Sequence, residues 1–284
     1  MKRLALLKLG LSAPLVMAAE KKKFEEEVIA SASQDRAPRV AIVPSTFAGG
    51  EDHFGNKVAG LAEPRPLDAT LTPAQVDALV RKAIQLGDLR GRNLARLIAP
   101  EDWVLLETRG VDPLVARSVV TFVAEQRRAG RVTVCSRDLS LTSAMQAKYP
   151  KMRFECVDLA AMERVELPVP GDFRRTVAVP KVIQHCDKRI VLAPLDVKSG
   201  MAIGSLDLFS FHPAEYAMLC GRNILVAGMN AVSVDAVASA LLGLDPARQP
   251  ALREAEKKGF GLCDLDAIWV RGVEIEEARS ALTA

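Results

Sequence analysis

The sequence predicts an α/β fold, with a single domain whose mainly parallel sheet carries helices on both faces. From residue 39 onward, short apolar runs alternate with longer stretches in which apolar residues recur at helical spacing. Residues 224–244 join the two patterns in one unit, with an apolar strand, a turn and an apolar helix. Because strand–helix–strand connections are right-handed and join parallel strands, this alternation favours a mainly parallel sheet.

The chain is expected to consist of an export signal (1–19), a linker (20–38) and the α/β domain (39–284). Lys2 and Arg3 precede an apolar stretch at 9–17, and small residues near Ala19 suit signal cleavage. The general secretory route and a degenerate twin-arginine route both remain open, and an N-terminal amphipathic helix is the structural alternative. The signal predicts a periplasmic or cell-envelope protein.

The first half of the domain alternates strands and helices. A strand is predicted at 40–43, followed by a long loop at 45–71 that is rich in Gly, Pro and Asp and contains His53. Thr72 as the cap and Pro73 at the first helical position predict a helix that ends at Gly87. The elements predicted next are a helix at 93–98, a strand at 103–106, a helix at 113–128, a strand at 131–135, a helix at 140–149 and a strand at 153–157.

The second half contains the unit at residues 224–244. Residues 224–227 have the composition of a buried parallel strand, Ser233 is predicted to cap the following helix, and Asp235 then falls in its first turn. Gly243 suits the end of that helix. The other elements predicted here are a flap or hairpin at 165–169 and 176–179, a helical turn at 182–187, a strand at 189–193, a short helix at 213–220, a helix at 251–257, a strand at 267–270 and a terminal helix from 274.

Charge and hydropathy exclude two classes of protein. The formal net charge is +3, and Lys2, Arg3 and Lys8 account for all of it, so the remainder is neutral. A neutral chain argues against nucleic-acid binding driven by phosphate contacts. No apolar run approaches the roughly 20 residues of a membrane span, so no integral membrane span is expected.

Cysteine and histidine spacing gives no sign of a metal site. The five cysteines form no Cys-x-x-Cys pair, so no zinc ribbon or iron–sulfur cluster is expected. The three histidines are far apart. Most of the cysteines are expected to be buried thiols, although a disulfide between distant cysteines remains open. Nothing in the sequence names a cofactor.

Topology predicts where a ligand would bind. In open parallel sheets, ligands lie beyond the carboxyl ends of the strands. Arg109, Arg137 and Lys198 each follow a predicted strand, and small residues with free backbone amides lie near Lys198. This set favours a small anionic ligand. The alternative is that these cations pair with acidic neighbours, namely Glu107, Asp138 and Asp196.

Most of the chain after residue 39, including residues 73–138, carries a resemblance to a known family, and its clearest motif lies in the C-terminal third. Residues 226–228, then 234–238, then Leu-Leu-Gly-Leu-Asp-Pro at 241–246 resemble the C-terminal signature of the domain-of-unknown-function family 362. The stretch at 259–270 is similar to the Gly-rich, Asp-containing segment that follows in that family. The family is largely uncharacterised, and some members carry ferredoxin-like cysteine clusters that this chain lacks.

The resemblance implies three site residues: Lys198, Ser205 and Asp235. Three departures from the family pattern predict an altered or degenerate activity: Glu107-Thr108-Arg109 in place of Lys-Pro-Asn, Gly200 near an expected His, and Asp207-Leu208 in place of Lys-Asn. We therefore expect an exported protein that binds or transforms a small anionic molecule. The alternative is a non-catalytic envelope binding protein with a degenerate site, and a purely structural envelope protein is a third reading. The sequence does not decide whether the protein is an enzyme.

Overall fold

A computed structural model describes residues 37–51, 56–67, 70–88, 93–136 and 140–283. The chain from Pro38 onward forms one compact unit. The predicted export signal, His53 and Arg137 lie outside the described residues, as does nearly all of the predicted linker.

The strands form one large sheet and two small hairpins. In chain order the strands are β1 (Arg39–Pro44), β2 (Gly50–Glu51), β3 (Lys57–Val58), β4 (Trp103–Thr108), β5 (Arg131–Cys135), β6 (Arg153–Val157), β7 (Arg164–Val169), β8 (Asp172–Pro180), β9 (Lys188–Pro194), β10 (Tyr216–Cys220), β11 (Ile224–Gly228) and β12 (Trp269–Gly272). The large sheet has eight strands in the order β12-β1-β11-β10-β9-β4-β5-β6, while β2 pairs with β3 and β7 with β8. Seven strands of the large sheet are parallel to one another, and only β11 runs against its neighbours. The predicted fold class is confirmed.

Helices cover both faces of this sheet. The helices are α1 (Pro73–Gly87), α2 (Leu94–Leu97), α3 (Pro113–Glu125), α4 (Ser140–Lys148), α5 (Lys181–His185), α6 (Leu206–Phe209), α7 (Ala231–Leu241), α8 (Pro250–Lys257) and α9 (Ile275–Thr283). One face packs against α1, α3 and α4, and the other against α7, α8 and α9. A third apolar cluster joins α5 and the β7–β8 hairpin to β4. Burying each Val, Leu or Ile side chain in these clusters stabilises the folded state by roughly 1.5–3 kcal/mol.

The start of α1 agrees with its prediction in detail. The Thr72 hydroxyl accepts a bond from the Gln75 backbone N–H, and the Gln75 side chain accepts one from the Thr72 N–H. This reciprocal arrangement is a capping box, which satisfies two of the amide groups left free at a helix start. The strands predicted at 131–135 and 153–157 are also confirmed as β5 and β6.

The short helix predicted at 213–220 is wrong, because Tyr216–Cys220 forms the inner strand β10. Tyr216 and Met218 enter one core while Ala217 and Leu219 enter the other, as the two-residue period of a strand requires. The three residues at 221–223 then turn the chain into β11, with the Gly221 N–H bonded to the Ile224 carbonyl at 2.9 Å.

The parallel orientation predicted for residues 224–227 is also wrong. A three-residue turn joins β10 to β11, and so short a connection can join only antiparallel strands. The apolar run is explained by burial on both faces rather than by parallel pairing. The carboxyl end of β11 therefore lies at the opposite edge of the sheet from those of β4, β5 and β9.

The cap of helix α7 lies three residues earlier than predicted. Asn230, not Ser233, is the N-cap, and its side chain accepts the Ser233 N–H at 2.9 Å. Asp235 consequently lies in the second turn of α7, where it is buried and plays no part in the helix start.

The remaining predictions on cysteines and membrane spans concern the described residues alone. All five cysteines lie among them and all are free thiols, so none of the distant disulfides left open by the sequence forms. Among the described helices, none combines the length and the apolar character needed to cross a membrane.

Candidate functional site

A cleft of about 600 Å³ opens at the edge of the sheet where β4, β5 and β6 end. Its walls come from the segments that follow these three neighbouring parallel strands. The lining residues are Glu107, Thr108, Arg109, Gly110, Val111, Cys135, Ser136, Val157, Asp158, Leu159 and Ala160. This is the position at which open parallel sheets bind ligands.

A buried carboxylate flanked by two guanidinium groups lies at the base of the cleft. Nε of Arg189 donates to Oε1 of Glu107 at 2.5 Å, and Nη2 and Nε of Arg109 donate to Oε2 at 2.8 and 3.1 Å. The side chains of Glu107 and Arg189 are 3% and 2% exposed, whereas that of Arg109 is 26% exposed. Of these three side chains, Arg109 is therefore the one that is accessible to solvent.

The register between β4 and β9 brings Glu107 and Arg189 together. Arg189 lies beside Leu105 across β9 and β4, and Glu107 follows Leu105 on the same face of β4. Burial opposes ionisation of Glu107, but the charges of Arg189 and Arg109 outweigh it and hold the pKa of the carboxyl below its usual value. Arg189 also donates from Nη1 to the His212 carbonyl at 2.6 Å, so the buried guanidinium has acceptors on two sides.

The same Arg109 side chain fixes the loop that follows β9. Its Nη1 donates to the carbonyls of Met201 and Ala202 at 3.0 and 3.3 Å. From the other side, the Asp235 carboxylate accepts the backbone N–H groups of Ala202 and Ile203, each at 2.9 Å. This stretch of the loop is thus held through its carbonyls by one side chain and through its amides by another.

Glycine is required where Arg109 meets this loop. Gly204 has a left-handed φ of 61°, and a Cβ placed on it would collide with the Arg109 guanidinium. The absence of a side chain at Gly204 leaves room for the guanidinium beside the loop backbone.

Burial sets the ionisation of Asp235. Its pKa is raised to about 7 by desolvation, and the two amide bonds and the Arg109 charge offset only part of that effect. The folded protein therefore keeps a proton that the unfolded chain releases at lower pH.

The five residues proposed from the sequence occupy different places. Arg109 lines the cleft, and Arg137 lies outside the described residues. Lys198 is exposed on a turn after β9, and its N–H donates to Asp196 Oδ1 at 3.1 Å. Ser205 caps α6 through the Leu208 N–H. Among the described residues, the lining of the cleft includes neither Lys198, Ser205 nor Asp235.

Sequence reasoning missed the buried pair of Glu107 and Arg189. From the sequence, Glu107 is expected to be a surface partner for Arg109, because the strand is predicted to end at Leu106. A signal was present: continuing the strand to Thr108 puts Glu107 on the same inward face as Leu105. A charge at such a position needs a partner of opposite sign.

Metal-ligating side chains do not cluster in the part of the chain that the structure describes. No group of three or more His, Cys, Asp or Glu residues there has a metal-binding arrangement.

Comparisons with known proteins assign no family to this chain. No family model matches the chain, and no curated protein matches its sequence, so the resemblance to family 362 stays a prediction. The chain is similar to the lactate racemase apoprotein from Thermoanaerobacterium thermosaccharolyticum, at 11% identity and a TM-score of 0.36, over 66% of this chain and 59% of that one. It is also similar to Thermococcus litoralis Δ1-pyrroline-2-carboxylate reductase in complex with NADH and L-proline, at 12% identity and a TM-score of 0.24, over 43% of this chain and 30% of that one. The chain spans less than two thirds of the length of either structure.

Proposed function

We propose that this protein is an exported protein of the family 362 type that binds a small anionic molecule in the cleft beyond β4, β5 and β6. The observation that carries the proposal is the partly exposed Arg109 in the wall of that cleft. In the described network, the guanidinium groups of Arg109 and Arg189 share the carboxylate of Glu107.

The charge balance of this network favours an anion. Glu107 neutralises one of its two arginine partners, so the three side chains together keep one positive charge. Arg189 is buried, and the excess charge is therefore accessible only through Arg109. A carboxylate or phosphate bound there would form charge-assisted hydrogen bonds, which are roughly twice as strong as neutral ones.

The order of the strands supports further ligand contacts. In the sheet β9, β4 and β5 are adjacent and parallel, so the segments that follow them leave from the same edge. Arg137 follows β5 and Lys198 follows β9, and we keep both as candidate anion ligands beside Arg109. Asp235 is kept as a residue that positions the loop carrying Lys198.

The chemistry of the described cleft residues favours binding over catalysis. Glu107 has a lowered pKa and both of its oxygens accept bonds from arginine, so it is a poor proton acceptor. Burial raises the pKa of the Cys135 thiol far above neutrality, which keeps the sulfur protonated and weakly nucleophilic. A non-catalytic binding protein is therefore the form of the proposal that these residues support best.

Replacing Arg109 tests the anion site. We expect a panel of small carboxylates and phosphates to contain compounds that raise the melting temperature of the wild-type protein, because a ligand that binds only the folded state stabilises it. In Arg109→Gln the affinity for those compounds should fall about 10- to 100-fold, since each charge-assisted bond contributes roughly 1.5–3 kcal/mol.

The matched control is Arg117→Gln, which removes an exposed cation from α3 outside the cleft. Each variant is compared with and without ligand, so a change in its own stability cancels. Equal affinity in wild type and Arg109→Gln, or an equal loss in Arg117→Gln, would contradict the site. Lys198→Ala, measured alongside, reports whether the exposed lysine contributes.

Export is the second part of the proposal and has its own test. The basic residues at the start, the apolar stretch and the small residues before position 20 support cleavage near Ala19. Intact mass measurement of the protein from the cells that make it should give a chain lacking residues 1–19. A mature protein that still begins at Met1 would rule this out.

A further inference from the structure

A second pocket lies at the opposite end of β5 and β6 from the cleft. It is lined by Arg127, which precedes β5, and by residues 148–152, which precede β6. We call it the basic pocket; its lining residues are Arg127, Lys148, Tyr149, Pro150, Lys151 and Met152, and its volume is about 280 Å³. Nothing in the proposed function uses it.

The lining of the basic pocket carries more positive than negative charge. Its three cations, Arg127, Lys148 and Lys151, are all exposed, and its lining contains no carboxylate. Neither Arg127 nor Lys151 forms an ion pair with any residue that the structure describes. Like charges held close together repel, and a bound anion would relieve that repulsion.

The surrounding surface extends the same charge. Residues 126–136 and 140–153 contain six Lys and Arg residues and no acidic residue. Arg131 and Arg153 lie directly opposite each other in the register of β5 and β6, and both share the single carboxylate of Glu155, at 2.5 and 3.4 Å. The surface beside the basic pocket therefore has more guanidinium groups than carboxylates to neutralise them.

Helix ends account for only part of this pattern. Both α3 and α4 end at this edge, and cations are favoured near the C-terminus of a helix. Lys151, however, lies beyond the end of α4, and Arg127 holds a left-handed backbone with a φ of 53°. Such a backbone is unfavourable for a residue with a side chain and is typical of functional sites. Arg127 and Lys151 therefore add two cations to the lining of the basic pocket that the helix ends do not explain.

We propose that the basic pocket binds the phosphate groups of a small oligophosphate. Three cations match a ligand that carries several negative charges, and the volume exceeds what one phosphate group needs. The concave shape favours a compact ligand over an extended nucleic acid. Arg128, Arg131 and Arg153, outside the pocket, attract the same ligand at longer range.

Tripolyphosphate is the probe that tests this site. Isothermal titration of the full chain should give saturable binding. Arg127→Gln and Lys151→Gln should each weaken it about tenfold, and the double variant about 100-fold, because one charge-assisted contact is lost at each position. The matched control, Arg174→Gln, removes an exposed cation from β8 that lines neither pocket, and it should leave the affinity unchanged.

Several results would overturn the proposal. These are an absence of binding to the wild type, equal binding in the double variant, or an equal loss in Arg174→Gln, which would indicate attraction by net charge alone.

Vesicles containing phosphatidylglycerol provide the other comparison. Co-sedimentation with them that depends on Arg127 and Lys151, together with no binding of tripolyphosphate, would assign this surface to a membrane and reject the oligophosphate site. Binding that is lost in Arg109→Gln but retained in the double variant would place tripolyphosphate in the cleft and reject the basic pocket as its site.

Discussion

Replacing Glu107 with alanine is expected to lower the free energy of unfolding by about 3–5 kcal/mol, because it leaves the buried Arg189 guanidinium without its carboxylate. Arg189 is 2% exposed and cannot turn to solvent without disrupting the core around β9. Arg109 would also lose two of its hydrogen bonds. The change is measured as a shift of the midpoint of urea unfolding.

Glu125→Ala is the matched control for this substitution. Glu125 also accepts from an arginine, Arg81, at 2.8 Å, but each side chain there is 23% exposed. Because water screens that pair and can solvate the arginine left behind, we expect a loss of only about 0.2–1 kcal/mol. Similar losses in the two variants would contradict the view that burial makes the Glu107 network critical to the fold.

Replacing Asp235 with alanine should cost about 2–5 kcal/mol, because the buried amides of Ala202 and Ile203 would lose their acceptor. Asp196→Ala is the control: its side chain also accepts a backbone N–H, that of Lys198, but it is exposed and water can replace it. A loss from Asp235→Ala no larger than from Asp196→Ala would show that the loop does not depend on the buried carboxylate.

The contribution of Asp235 should also depend on pH. Its pKa rises from 3.8 to about 7 on folding, so between these values the folded state holds a proton that the unfolded chain has lost. The contribution is therefore largest at low pH and is lost as pH rises toward 7 and above. The stability difference between wild type and Asp235→Asn should fall by about 2–3 kcal/mol from pH 5 to pH 8. Asp88, whose pKa burial raises to about 6, is present in both proteins and cancels. A difference that stays constant or grows with pH would contradict this account.

Much of the fold could be predicted because its signals are local. The cap at Thr72 with Pro73, and the apolar runs that became β5 and β6, depend on residues adjacent in the chain. Alternation of strand and helix then predicted the sheet class without any knowledge of long-range pairing. These are the features for which local sequence and final packing agree.

The direction of a strand was harder to predict from the sequence, because it depends on which strands are neighbours in the sheet. The apolar run in β11 indicates burial on two faces, and both parallel and antiparallel strands meet that condition. The useful signal was the turn at 221–223, Gly-Arg-Asn between two apolar runs, which is typical of a hairpin. Recognising it would have predicted both β10 and the reversal of β11.

The candidate site was predicted only in part, because its main contacts also join residues that are far apart in the chain. Topology indicated the correct edge of the sheet, and Arg109 lies in a cleft there. The pairing of Glu107 with Arg189 joins residues 82 positions apart, and the role of Asp235 depends on a loop 32 positions away. Neither contact has a local signature. The prediction that Asp235 lies in the first turn of its helix followed from the misplaced cap.

The most direct measurement of the central claim is native mass spectrometry of the protein purified from the cells that make it, with Arg109→Gln prepared in parallel. The anion site predicts that wild-type protein carries a small acidic molecule at up to one copy per chain, and that the same molecule is depleted in Arg109→Gln. A wild-type protein that carries no such molecule, or a molecule retained equally by both proteins, would contradict the proposal that Arg109 holds an anion in the cleft.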